Sequence, residues 1–408
     1  MATGYFFMVF ANLDKEIGNI PILNKFRFSF RWLWLALTVP LIILGNSQSA
    51  VAMSSLDASS PVPAAVKKLL QFCADPKTGL DARAAATLID YVLENKPERE
   101  IGLPVMDESP GAYYEFDTRT AFPRFLSYCY SAQIPGALTR PSSMRYSIWT
   151  AINGKSGNLS DKWKLASPGD KPVVIHAAQR DCNTPDLTTG VYYVYDLKRT
   201  LIHLNHKGRH AIISISKQVG PSDVGKRGII LGKDDDWNYY YSEETGSYKT
   251  GLGWVKSYIY DFLSLGVYVE TGASSATVRT GTFQWIRAGW SGINFVKTEH
   301  ILNGMKRFAR NSRTILEAKN LPASSQFIKN YRMLSALPSN ELFERYSELQ
   351  KAQQSMAAQT GKVGKSGKNG NGSPNHVPKE QMVQELMLEY LKICLGKPSL
   401  VGKNSFSF

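Results

Sequence analysis

Between Gly190 and Trp290 the chain is crowded with aromatics, among them Tyr192, Tyr193, Tyr195, Tyr239, Tyr240, Tyr241, Phe283, Trp285 and Trp290. Between them lie β-branched runs such as Ala211-Ile212-Ile213-Ser214-Ile215-Ser216 and Gly228-Ile229-Ile230-Leu231. Turn residues interrupt the runs at Lys207-Gly208, Gly220-Pro221, Gly232 to Asp236, Thr245-Gly246 and Thr271-Gly272. Such residues favour extended backbone, and such punctuation favours tight reversals, so the block predicts an antiparallel meander. Strands are expected near 190–197, 200–205, 210–217, 227–232, 237–242, 254–260, 264–270, 276–281 and 282–288. Tyr192-Tyr193-Val194-Tyr195 is apolar on both faces, which suits a sheet covered on both sides, a sandwich or a barrel.

The flanks read differently. Lys25, Arg27 and Arg31 precede an uncharged apolar run, Leu33 to Leu44, then polar residues and Ala50-Val51-Ala52. That is the order of a secretory signal ending in an A-x-A cleavage site. The run is about 12 residues, short of the roughly 20 that a spanning helix needs, although an uncleaved anchor is the alternative. Residues 1–52 are therefore set aside as signal, with Met1 to Asn24 as an extended basic region or an upstream start. In 53–97, Val66, Leu69, Leu70 and Cys73 share one helical face, and Ala85, Leu88, Ile89, Val92 and Leu93 another, with Asp81 as a cap between them. Residues 98–189 hold eight prolines from Pro104 to Pro185 and read as an irregular lead-in, with extended pieces at Ala112–Phe116, Met144–Ala151 and Val173–Ala177.

After the meander (190–290), the segment 291–360 turns helical, with Ile301, Leu302, Met305, Phe308, Ala309, Ile315 and Leu316 on one face. Shorter helices are expected at 323–336 and 339–358. Residues 361–377 are a Gly/Lys/Asn/Ser linker that can bury nothing. A last helix, in 378–408, places Met382, Val383, Leu386, Met387, Tyr390, Leu391 and Cys394 on an apolar face; it must dock on the chain's own body or on a partner. The whole is of the α+β class: an N-terminal helical hairpin, a central aromatic-rich meander (sandwich or barrel-like) and C-terminal amphipathic helices.

The 48 basic and 34 acidic residues give a net charge of +14, and from Val296 onward 17 Lys and Arg stand against 8 Asp and Glu. This favours anionic partners, or else solvated helix faces. Four cysteines, Cys73, Cys129, Cys182 and Cys394, follow the export signal, so a disulfide is the expected fate of Cys182 rather than a nucleophilic pairing with His176.

Few constellations suggest chemistry. His203, His206 and His210 could ligate zinc or copper. With a two-residue Lys207-Gly208 loop, Asn205 pairs with His210 and His203 lies diagonal to His210 on one face; a longer loop separates them. Asp234-Asp235-Asp236 beside Asn238 offers oxygens to calcium but lacks the D-x-D-x-D-G spacing, so it reads as a hairpin turn. Gly220 to Gly225 and Gly289 to Ile293 miss the G-x-S-x-G elbow, and Gly364-Lys365-Ser366 lacks the first glycine of a phosphate loop. The aromatics could line a ligand cavity, though sheet core is the simpler use.

These observations predict an exported, periplasmic or envelope-associated protein that binds or scaffolds. The expected partner is an envelope protein, a lipid or an anionic polymer; nucleic acid is not expected. A membrane surface could be met through the helix around Ile301–Leu316. The alternative is a hydrolase using the His203/His206/His210 hairpin. No catalytic residue is assigned.

Overall fold

The computed structural model describes residues 55–57, 59–94, 96–131, 133–154, 169, 171–249, 253–271, 276–361 and 377–406. The signal segment, most of the 361–377 linker and Phe408 lie outside them. All described residues belong to one unit, Ser54–Phe408.

The helical hairpin forms as α1 (Val62–Ala74) and α2 (Ala82–Leu93), with Asp81 Oδ1 accepting from the Ala84 amide at 2.9 Å. The strands and a short helix follow in chain order. They are β1 (Glu100–Met106), β2 (Ser109–Thr118), α3 (Phe122–Cys129), β3 (Met144–Ile152), β4 (Val173–Asn183), β5 (Val191–Tyr192) and β6 (Val194–His206). Next come β7 (Arg209–Gln218), β8 (Lys226–Ile230), β9 (Tyr239–Thr245), β10 (Ser247–Lys249), β11 (Gly253–Val255), β12 (Tyr258–Thr271), β13 (Thr277–Trp290) and β14 (Ile293–Asn294). Four helices close the chain: α4 (Thr298–Leu316), α5 (Ser324–Ala336), α6 (Ser339–Gln359) and α7 (Lys379–Leu395). Each lies within about three residues of its expected limits, because helical periodicity marks the apolar stripe. At α6 it is Pro338, rather than Ser339, that occupies the N-cap.

The main sheet is antiparallel and open, in the order β1-β2-β13-β12-β7-β6-β4-β3, with β14 on the end of β13. It does not close into a barrel, and its second and third layers are helical. Sequence turns were too liberal a guide to strand ends: β6, β12 and β13 each run unbroken through two of the expected strands. The lead-in at 98–189 is not irregular, for it supplies β1 to β4. Its prolines sit where ladder hydrogen bonds are dispensable: Pro104 on the edge strand β1, Pro110 at the start of β2 and Pro123 in the first turn of α3. The segment between β7 and β12 leaves the main sheet, and β5, β8 and β9 make a small sheet of their own.

Alternation sorts the side chains of the main sheet into two faces. Ile213, Ile215, Leu263, Leu265, Val267, Val269, Phe283 and Trp285 meet Val66, Leu69, Leu88, Ile89 and Val92 of the α1–α2 hairpin. On the opposite face, Ala112, Tyr114 and Phe116 meet Ile301, Leu302, Met305 and Ala309 of α4. Farther along that face Ile212 and Val278 join α3 and the last three helices in a second core. The apolar stripe of α4 is thus buried on the sheet and does not face a membrane. Its cations are matched by body carboxylates: Lys306 with Glu100 at 2.7 Å, Arg307 with Asp234, and Arg313 with Glu98. Among the described residues no helix is long and apolar enough to cross a membrane.

The last helix docks on the chain's own body. Met382, Val383, Leu386, Met387 and Leu391 enter the second core, but Gln381, Gln384, Glu385, Glu389 and Lys392 are buried too. Most of their polar atoms are paired, Glu385 Oε2 excepted. Lys392 Nζ donates to Asn238 Oδ1 and to Glu389 Oε1, both at 2.6 Å, and Arg145 Nε donates to Glu385 Oε1 at 2.8 Å. Gln384 joins the edge strand β3: its Oε1 accepts from the Ser147 amide at 2.9 Å and its Nε2 donates to the Ser147 carbonyl at 3.0 Å.

Candidate functional site: a polar cavity between sheet and helices

The histidine hairpin settles first. Lys207 and Gly208 both have positive φ, 51° and 76°, and the register pairs His206 with Arg209 and Asn205 with His210. This is the two-residue loop, and it places His203 and His210 as diagonal neighbours, ring centroids 5.7 Å apart. Phe122 of α3 packs on both rings, at 6.0 and 5.8 Å. His206 points through the opposite face, where its Nε2 lies 2.8 Å from Asp90 Oδ1 on α2. A strand's period of two therefore keeps the three imidazoles from one ion. Among the described residues no group of three or more His, Cys, Asp or Glu is placed to hold a metal.

The other sequence candidates are dispersed as well. Cys182 and His176 share β4 but lie six residues apart, about 20 Å at the usual strand rise. Cys182 is fully buried beside Tyr146 and Tyr192, and burial pushes its thiol up to about 12. His176 packs edge-on against Phe72 and hydrogen-bonds Thr200 at 3.0 Å; burial lowers its pKa. The expected disulfide is not formed, since Cys73, Cys129, Cys182 and Cys394 are all free. In guanidinium without reductant, four thiols per chain are expected to react with Ellman's reagent, and in the native protein Cys182 is expected to resist it. Two reactive thiols in the denatured chain would refute this.

The aspartate run forms a short 3-10 turn that ties β9 to α4. Arg307 Nε donates to Asp234 Oδ2 at 2.8 Å, and the indole of buried Trp237 donates to Asn311 of the same helix. The Gly220 and Gly289 near-misses are not strand-to-helix elbows. Ser222 Oγ accepts from the Ile259 amide at 2.9 Å, and Ser291-Gly292 is the tight turn between β13 and β14.

What the fold does assemble is a cavity of about 70 Å³ between the helical side of the sheet and the α3–β3 connection. Its floor is made of small side chains on adjacent strands, with Ser214 and Ser216 of β7 opposite Gly266 and Ser264 of β12. Farther along that face the same strands carry Ile212 and Tyr268, so the run of small residues is what opens the space. Phe125 and Cys129 of α3 and Phe308 and Ser312 of α4 roof it. Tyr130, Trp149, Gln179, Arg140 and Arg199 complete the wall.

The wall is polar and cationic. Arg199, only 6% exposed, donates from Nη1 to Gln179 Oε1 at 2.6 Å and from Nη2 to Ser214 Oγ at 2.9 Å. Both partners are neutral, and its Nε has no hydrogen-bond partner. Burial lowers the Arg199 pKa, and the nearby charge of Arg140 lowers it further. Arg140, half-buried, makes a 3.4 Å contact from Nε to the Gly136 carbonyl. Asp181 stands close by, 1% exposed, with neither carboxylate oxygen hydrogen-bonded. Burial raises its pKa, while Arg140, Arg199 and the nearby Ser147 hydroxyl, too poorly placed for a full hydrogen bond, pull it down. Tyr130 and Tyr268 meet edge to face at 5.5 Å.

None of these residues was read as part of a site in the sequence. The available signal was small polar residues at every second position, Ser214 and Ser216, then Ser264 and Gly266, in strands otherwise apolar on that parity's complement. In a sheet covered on both faces, such a run marks a place where the layers do not meet.

No protein-family model matches the chain, and no curated protein matches it. Among solved structures, the human StarD13 (DLC2) lipid transfer and protein localization domain is similar over 57% of this chain and 98% of its own, at 10% identity. The TM-score is 0.23, too low for fold or function to be carried over.

Proposed function

We propose that this is an exported binding protein that holds a small molecule in the cavity between its sheet and helices. The observation that carries the reading is the cavity itself. Packed interiors leave few voids larger than a water molecule, and a polar space of about 70 Å³ is several times the roughly 10–15 Å³ that one water requires. Small residues drawn from two strands keep it open, beneath a roof that is otherwise tightly packed. The order of basic, apolar and small residues from Lys25 to Ala52 supports export to the cell envelope.

The test uses three probes of matching size, propionate, propionamide and 1-propanol, followed by saturation-transfer NMR on the purified protein and on Ser216→Leu. The leucine is meant to fill the floor of the cavity. At least one probe is expected to bind the parent protein and to lose its signal with the variant. If none binds, or if binding survives the filled floor, the cavity is not a ligand site.

A further inference from the structure

Resting on that reading, we propose that the cavity is a carboxylate site, in which Arg199 anchors the anion and Arg140 closes over it as the second cation. A guanidinium taken out of water demands a counter-charge. Arg199 has neutral partners on Nη1 and Nη2 and none on Nε. Among the described residues neither arginine forms an ion pair with a carboxylate, although nearly every other buried cation does, as in Arg145 with Glu385 and Lys392 with Glu389. Asp181 contributes the one opposing charge nearby, and it stops short of hydrogen bonding either arginine.

With Asp181 ionised, the two arginines leave a balance of one positive charge around a polar space. A single monoanion neutralises it, whereas a phosphate dianion would leave the site negative. Arg199 Nε is the guanidinium nitrogen with no partner, and hydroxyls of Ser216, Ser264, Thr280 and Ser312 line the space that the rest of the molecule would occupy. A space of about 70 Å³ fits a carboxylate with a short chain rather than a large ligand. The guanidinium plane, lying 5.6 Å over the Trp149 ring, is held in orientation before any ligand arrives.

Propionate and propionamide have nearly the same shape and differ in charge, so their ratio of dissociation constants isolates the inference. In the purified protein, propionate is expected to bind at least tenfold tighter than propionamide. Arg199→Met should abolish that preference and Arg199→Lys should restore part of it. Arg140→Gln, outside the sheet and half-exposed, should reduce the preference severalfold, and it serves if Arg199→Met does not fold. Equal binding of the two probes would overturn the carboxylate reading while leaving the cavity as a site for neutral ligands. Inorganic phosphate displacing propionate at lower concentration would also overturn it. Binding of neither probe would refute the carboxylate reading, and the failure of 1-propanol as well would refute the cavity reading with it.

Discussion

Ending the chain at Gly361, and so removing α7, is expected to abolish the cooperative native state. Met382, Val383, Leu386, Met387 and Leu391 are each at most 9% exposed, packed among Phe327, Leu334, Leu342, Tyr346 and Leu349. At roughly 1.5–3 kcal/mol for each fully buried apolar side chain, and taking area-based values as upper estimates, the five contribute on the order of 10 kcal/mol. A whole domain is stable by only about 5–15 kcal/mol. The shortened chain should be insoluble, or soluble with its near-ultraviolet circular dichroism lost. A soluble product with a sharp urea transition would mean that α7 is an appended module rather than part of the core.

Glu385→Ala is expected to cost about 3–5 kcal/mol, because it leaves a buried guanidinium without its carboxylate. The side chains of Arg145 and Glu385 are 9% and 6% exposed. Glu385 Oε1 also accepts from Gln381 Nε2 at 2.9 Å and from the Tyr346 hydroxyl at 3.3 Å, so one substitution breaks three hydrogen bonds. Arg145 lies 3.7 Å from the centre of the Tyr241 ring, a contact that orients the cation but does not neutralise it. Replacing both partners together, Arg145→Met with Glu385→Leu, should be far milder, since no charge remains buried. Urea midpoints of the single and double variants check the pair. A single variant as mild as the double would show that Arg145 finds another anion.

The contrast between Arg145 and Arg199 also shows how much the sequence discloses. The helices were legible because α1, α2, α4 and α7 carry their apolar residues at helical spacing and close with caps such as Asp81 and Gly396. The His203–His210 hairpin was legible in both loop and register, because Lys207-Gly208 admits positive φ at two successive positions. In 98–189 the extended pieces at Ala112–Phe116, Met144–Ala151 and Val173–Ala177 fall within β2, β3 and β4, but β1 was not legible. A proline rule that holds for central strands fails at an edge, and Pro104 lies on the outermost strand, next to the shift in register between Leu103 and Met106. The cavity was hidden for a different reason. Arg140, Arg199, Ser214 and Ser264 come from four separate elements, and each alone resembles a solvated surface residue. Only the order of strands brings them together. The polar side of α7 misled in the same way: Lys392 and Glu389 have the look of solvent-facing residues, and their burial depends on Asn238, far away in the chain.

The bond that Gln384 makes with both backbone groups of Ser147 reaches beyond the folded protein. During synthesis β3 leaves the ribosome more than two hundred residues before α7, so for most of translation this border of the sheet has no cap. An uncapped border is a template on which another chain can grow. A nascent chain of this protein therefore depends on its final segment to become safe from its own copies. A chain held unfolded until that segment is made would never display the bare border at all.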